Sequence, residues 1–264
     1  MAYTPIKTLL RPEFDQAQHS YSFDGFALPG ANSLMEMVGV KAPFDRTFWR
    51  QSLMRKGMTL EEAEEHMEER RVHGIERGKS VHAWIESKLK GEGKQSADFV
   101  PEHMDSIDGY CEGFREFIEE VSLSTVYLIE QPLVHPVCFY CGTVDCLAMT
   151  KHGMTVIDWK TTETISKFKK QPWQLYQQVL YGAAINRCYL LDEPVLQGMS
   201  VTLADDGYRV TRWETEPFNA AWRELKGLIY DFWEEQLEAG QMSNFPGVAP
   251  RALEAMIEAW GTAA

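Results

Sequence analysis

Apolar residues recur at steps of three and four in some stretches of the chain and at steps of two in others. Between 101 and 120, Met104, Ile107, Cys111, Phe114 and Ile118 form one stripe, with Pro101 near its start, and this predicts a helix. Thr59-Leu-Glu-Glu62 has the form of a capping box and opens a helix to about residue 71. Gly74 and Gly78 punctuate the stretch after it, and a second helix is expected over 80–90, with Val81, Ile85 and Leu89 on one face. Beyond 120 the period becomes two. β-Branched and aromatic runs at 126–134, 137–149 and 154–159 predict a three-strand meander. A helix over 173–187 ends before Asp192-Glu-Pro194, strands at 195–203 and 208–213 flank Asp205-Asp-Gly207, and a long helix covers 217–240. Residues 1–45, with Pro5, Pro12, Pro29, Gly30 and Pro43 among short apolar pieces, read as an irregular arm holding one short helix from Asn32 or Ser33.

This order of elements is that of an α/β (α+β) chain forming a single domain over 1–264. Its parts are an arm (1–58), a helical part (59–120), a mixed sheet core (121–214, with the helix 173–187), and a closing helix and tail (215–264). A hydrophobic share of 44% with 25% charged residues is a globular balance, not a disordered one. No stretch reaches the ~20 apolar residues of a bilayer span, and MAYTPIKTLLRPEFDQ lacks the layout of a signal peptide. Cys111, Cys138, Cys141, Cys146 and Cys188 are odd in number and irregularly spaced, which argues against a disulfide framework and for a reducing compartment.

The formal net charge of −13 excludes a broadly basic, nucleic-acid-coating surface. The charge is uneven, however. Six basic residues stand against Asp158 and Glu163 in 151–190, whereas 13 acidic residues face 5 basic ones in 191–264. A basic window in an acidic chain suits a confined anion site, and equally a solvated face.

Gly142-Thr-Val-Asp145 is followed, after a short hairpin, by Val156-Ile-Asp158-Trp-Lys160. Strand alternation sends Asp158 and Lys160 to one face, within reach of Asp145 on the neighbouring strand. Paired carboxylates repel unless a cation neutralises them, and oxygen ligands suit Mg²⁺ or Mn²⁺. A surface Asp–Lys pair at a strand end is the plain alternative. Arg77-Gly-Lys-Ser-Val-His82-Ala-Trp-Ile-Glu86 puts His82 and Glu86 one helical turn apart, and Gln177 and Tyr181 are spaced likewise. Each of these pairs alone fits an ordinary helix as well.

In this order the motifs resemble the RecB-like branch of the PD-(D/E)XK nuclease superfamily, whose pattern runs R-G-x-x-x-H-x-x-I-E, G-x-x-D, D-x-K and Q-x-x-x-Y. Leu28-Pro-Gly-Ala-Asn-Ser-Leu-Met35 is similar to the L-P-S-V-T segment of the mitochondrial genome-maintenance exonuclease group and its phage relatives, with Gly30, Ala31 and Asn32 in place of Ser-Val-Thr.

The resemblance implies a restriction-endonuclease-like αβββαβ core with extra N-terminal helices and a C-terminal helix. It implies Asp145 and Asp158 as metal ligands, Lys160 as the catalytic lysine, His82 and the Trp159 backbone carbonyl as further ligands, and Glu130 as an acidic ligand. Glu86 would support His82, and Gln177 and Tyr181 would position substrate or water. Lys167, Lys169, Lys170, Trp173 and Tyr176 are the candidates to contact nucleic acid, with Trp84 a further candidate for stacking; core packing is the favoured reading for each of the three aromatics. The expected activity is Mg²⁺- or Mn²⁺-dependent DNA exonuclease action on ends, favouring single strands, in replication, recombination or repair. A recombination or replication partner protein and a cytoplasmic site of action in a bacterial or phage-infected cell go with it. Cys138-x-x-Cys141 and Cys146 do not follow the spacing of the iron–sulfur cluster found in some RecB-like nucleases, so none is expected. An endonuclease, or a non-catalytic binding module on the same fold, are the alternatives. A complete carboxylate–lysine set favours an enzyme, and the short stretch after Cys188 leaves little room for a target-recognition domain.

Overall fold

The computed structural model describes residues 1–18 and 20–241, with the backbone alone for Phe26; the expected tail lies outside the described residues. A six-stranded sheet is built from β1 (Ala2–Tyr3), β5 (Thr125–His135), β6 (Tyr140–Thr150), β7 (Gly153–Thr161), β8 (Gly198–Ala204) and β9 (Gly207–Trp213), in the order β1-β5-β6-β7-β8-β9. The meander β5–β6–β7 is antiparallel. α5 (Trp173–Cys188) then crosses over to β8, parallel to β7, and β9 turns back antiparallel. Every residue of β8 is buried, because helices cover both faces of the sheet there.

One face carries α1 (Ala31–Met37), α5 and α6 (Thr215–Glu238) over a core including Leu128, Leu147, Leu180 and Ile229. The other carries α4 (Asp108–Glu120) and the C-terminal half of α3 (Leu60–Lys90), with Trp84, Phe114, Phe117 and Trp159 packed edge to face. The succession α4-β5-β6-β7-α5-β8 is the expected αβββαβ core. Among the described residues, no helix is long and apolar enough to cross a membrane.

Three expectations need correction. Gly74 and Gly78 do not divide α3, which runs unbroken for 31 residues from the capping box at Thr59 and Glu62. Glycine weakens a helix without breaking it, and here the flanking residues are good helix formers. The helix expected over 101–120 begins only at Asp108, after a short 3-10 turn at Ser96–Phe99 and an irregular stretch holding Pro101 and Met104. The arm is not irregular. It contains a three-stranded sheet of β2 (Glu13–Asp15), β3 (Ser20–Phe23) and β4 (Phe26–Leu28), and a further helix, α2 (Arg46–Arg55), packed on the start of α3 through Leu53, Ala63 and Met67. The β3–β4 turn is Asp24-Gly25, both at positive φ, as a two-residue hairpin of the primed type requires.

Candidate metal centre

The ladder between β6 and β7 ends at the pair Cys146–Ile157. One residue beyond it on each strand stand Asp145 and Asp158. Here the strands part, and Asp145 Oδ2 accepts the Trp159 N–H at 2.8 Å, so a side-chain carboxylate stands in for a ladder carbonyl. From β5, Glu130 lies between the paired residues Ile129–Cys146 and Gln131–Val144, facing the same segment. Its φ is +45°, a left-handed conformation uncommon for glutamate. Pairing on both sides holds it there, as backbone strain at functional sites commonly is held.

His82 comes from α3. Its Nδ1 is 3.1 Å from Glu130 Oε1 and 3.9 Å from Asp145 Oδ2, and its Nε2 is 3.0 Å from the Trp159 carbonyl oxygen. Ligand atoms of His82, Glu130 and Asp145 lie within 4.8 Å of one another. Asp158, 1% exposed, adjoins this trio and is held by Lys160, whose Nζ donates to Oδ1 at 2.6 Å. Lys160 Nζ is also 2.6 Å from Oδ2, yet Oδ2 is buried without a hydrogen bond.

Burial is the largest influence on His82 and would lower its pKa, but Asp145 and Glu130 outweigh it and raise the value to about 9. At neutral pH and without a cation the ring is an imidazolium that donates to both Glu130 and the Trp159 carbonyl, and one ring nitrogen must lose its proton before it can bind a metal. Burial pushes Asp145 up, and it pushes Asp158 up to about 6 against the pull of Lys160. Lys160 is drawn up by Asp158 and Asp145 in spite of its own burial and stays an ammonium. His82 and Lys160 are therefore the counter-charges to three gathered carboxylates.

This donor set fits a hard divalent cation. An imidazole nitrogen and carboxylate oxygens of Glu130 and Asp145 converge, while the Trp159 carbonyl stands at the other ring nitrogen. Asp158 Oδ2 is buried and has the Lys160 ammonium as its charge partner at 2.6 Å.

α5 brings the remaining polar groups. Gln177 Nε2 donates to the Tyr181 hydroxyl at 3.1 Å, and Gln177 Oε1 is buried without a hydrogen bond. Burial, then Asp145 and Asp158, keep the Tyr181 phenol well above its usual range, so it remains protonated. Only glycine fits at 142, since a Cβ there would lie 2.8 Å from Tyr181 Cε1.

Other expected residues are placed differently. Glu86 does not support His82. It turns to Lys90, one turn on, at 2.5 Å, and Glu130 takes the imidazole instead. Trp84 is a core residue with no exposed surface, so of the two readings it follows core packing and not base stacking. Lys167 is bound by Glu163, which also pairs with Arg70 and lies 3.9 Å from Arg77, tying the loop after β7 to α3. Lys169 and Lys170 are exposed, the latter 5.9 Å above the Trp213 ring. Trp173 is half-buried with Lys41 5.0 Å from its ring, and Tyr176 donates to Glu224 at 2.8 Å. All five cysteines are buried and unbridged, and burial raises their thiols.

Comparison with known proteins finds relatives over part of the chain. The chain is 28% identical over 151 residues to mitochondrial genome maintenance exonuclease 1 of Mus musculus, covering 57% of this chain and 43% of that protein. Against the Homo sapiens protein of the same name the identity is 28% over 153 residues, covering 57% and 42%. The matched part spans less than half the length of these relatives. Among solved structures, that of LHK-Exo in complex with dAMP aligns with 51% of this chain and 72% of its own, at 19% identity and a TM-score of 0.35. No protein-family model matches.

Proposed function

We propose that this chain is a Mg²⁺- or Mn²⁺-dependent DNA exonuclease of the PD-(D/E)XK type, of the RecB-like branch, that acts from DNA ends and favours single strands. The observation that carries this reading is the convergence of His82, Glu130 and Asp145 within 4.8 Å, beside the Asp158–Lys160 pair. The name of the relatives, exonuclease, supports it.

His82, Glu130, Asp145, Asp158 and the Trp159 carbonyl would hold the cation, which when bound supplies charge neutralisation and Lewis acidity at the scissile phosphate. Lys160 keeps its ammonium beside the reacting phosphate and stabilises charge that builds on the phosphoryl oxygens. It also orients the attacking water. Gln177 and Tyr181 stay neutral, and the Tyr181 hydroxyl and the second Nε2–H of Gln177 are the donors they offer to the sugar–phosphate backbone.

The single-strand preference rests on α2 and the first half of α3. Together they form an extension with its own small core of Leu53, Ala63 and Met67. Arg50 pairs with Glu64, which lies eighteen residues before His82, about five turns and so on the same face of α3, roughly 27 Å away. On this extension Phe44 and Phe48 are 74% and 70% exposed, among Arg46, Arg50, Arg55 and Lys56. Exposed rings between cations suit unstacked bases.

The test is digestion of 5′- and 3′-labelled linear DNA, single- and double-stranded, with closed circles as controls, in Mg²⁺, Mn²⁺ and EDTA. Metal-dependent shortening of linear single strands, with circles intact, is the expected result. Cutting of circles would replace the exonuclease with an endonuclease, and no cleavage with either metal would overturn the enzyme.

A further inference from the structure

Asp145 lies where β6 has a β-sheet neighbour on one edge only. On one side β7 has already departed, since the last pair is Cys146–Ile157. On the other, β5 holds β6 through the pairs Ile129–Cys146 and Gln131–Val144 and on to His135–Tyr140, so only the β7 side of the segment is open. A strand left open on one edge gives a buried carboxylate room to shift, yet a metal ligand needs a fixed position.

The N-terminal arm packs against the edge that β7 leaves. Cys141 N–H donates to the Pro29 carbonyl at 2.9 Å, and Gly30 bridges Cys141 in parallel, so the end of β4 runs beside the start of β6. Above that join lies Tyr21 from β3, 8% exposed. Its ring stacks on Phe14 at 4.7 Å and covers Gly30, where a Cβ would be 3.5 Å from Tyr21 Cε2. Its hydroxyl is 3.0 Å from Thr143 Oγ1, two residues before Asp145 on the same strand. Burial raises the phenol, with Glu130 and Asp145 among the negative groups adding to the effect, so it stays protonated and stands near the acidic trio.

We propose that Tyr21 is a positioning residue of the metal centre: through its hydrogen bond to Thr143 the arm fixes the 143–145 segment of β6 and thereby the carboxylate of Asp145. This inference rests on the metal-site reading given above. It assigns the arm a part in assembling the site, apart from any contact with nucleic acid.

Direct Mn²⁺ binding, by calorimetry or by loss of the free-ion paramagnetic resonance signal, tests this without reference to activity. Tyr21→Phe keeps the ring against Phe14 and Gly30 and removes only the hydroxyl, and Thr143→Val removes its partner at similar volume. Each variant is expected to bind Mn²⁺ about tenfold more weakly than wild type. The double variant should be no weaker than either single one, because both remove the same bond. Thermal midpoints should stay within a few degrees of the parent. Unchanged Mn²⁺ affinity in Tyr21→Phe, or losses that multiply in the double variant, would overturn the positioning role while leaving the metal site intact. Wild-type protein that binds no Mn²⁺, like an Asp145→Ala control, would overturn the metal-site reading and this inference with it.

Discussion

Two buried groups make opposite demands on pH. His135, 7% exposed, accepts the Cys138 N–H on Nδ1 at 3.0 Å, and burial, reinforced by Arg187, lowers its pKa to about 4. Unfolded, it would titrate near 6.5. Between these values the unfolded state binds a proton that the folded state does not, so stability falls as pH drops from 6.5 to 4, by about 3 kcal/mol. For Asp158 the sign is reversed. Its folded pKa of about 6 lies above the ordinary carboxylate value, so the folded state holds the proton longer and stability is lost as pH rises through 6. The two effects oppose each other across nearly the same window and flatten the parent's profile. Asp158→Asn should therefore expose the acid loss, with a midpoint at pH 7 at or above the parent's, whereas His135→Gln should gain stability on mild acidification. Parallel profiles for both variants in calorimetry would remove this account. Asp158→Asn and Lys160→Ala should both reduce cleavage by a factor on the order of 100 or more. Lys160→Ala should also lower the midpoint, because it leaves Asp158 buried without its counter-charge.

At the level of elements, periodicity marked the meander, α5 and the closing helix, because each buries a regular face against the sheet. It failed where burial is small. α2 hides only Leu53, so no apolar stripe marks it. The first half of α3 hides only Ala63 and Met67 among six glutamates, and its continuity through Gly74 and Gly78 has no periodic signature. The β3–β4 hairpin did carry a signal, Asp24-Gly25 between short aromatic runs, overshadowed by the many nearby prolines and glycines. The site divides in the same way. Ligand candidates sit at motif spacings, but the edge that β7 leaves beside Asp145 depends on which strands part, and the spacing of motifs does not encode that. Continuity of α3 has a direct test. At Gly74 a Cβ would meet only Arg77 Nη2, at 3.9 Å. Gly74→Ala should therefore stabilise the protein by about 0.5–1 kcal/mol, the usual gain of alanine over glycine inside a helix. A lower midpoint in thermal unfolding would show that the chain needs glycine there, and so that α3 bends or breaks.

Over the whole molecule, a net charge of −13 sets a polyanionic substrate against a repulsive far field. That field is screened beyond about 8–10 Å at physiological salt. Only cations near the site can then hold the phosphate backbone, and they are not equivalent. Lys167 is bound to Glu163, itself shared with Arg70, so little of its charge remains for a phosphate. Lys169 and Lys170 are exposed and, among the described residues, make no ion pair with a carboxylate. Each single-strand phosphate contact contributes about −0.7 to the slope of log affinity against log salt. On the proposed function, kcat/KM for a single-stranded oligonucleotide should fall with added salt. In the Lys169→Ala/Lys170→Ala variant the slope should be shallower by about 1.4, from two lost contacts. Lys167→Ala should leave it nearly unchanged, because the contact it would remove is already occupied by Glu163. An unchanged slope in the double variant would place the nucleic-acid path away from the loop after β7, and a large change in Lys167→Ala would mean that the Glu163 pair opens when substrate arrives.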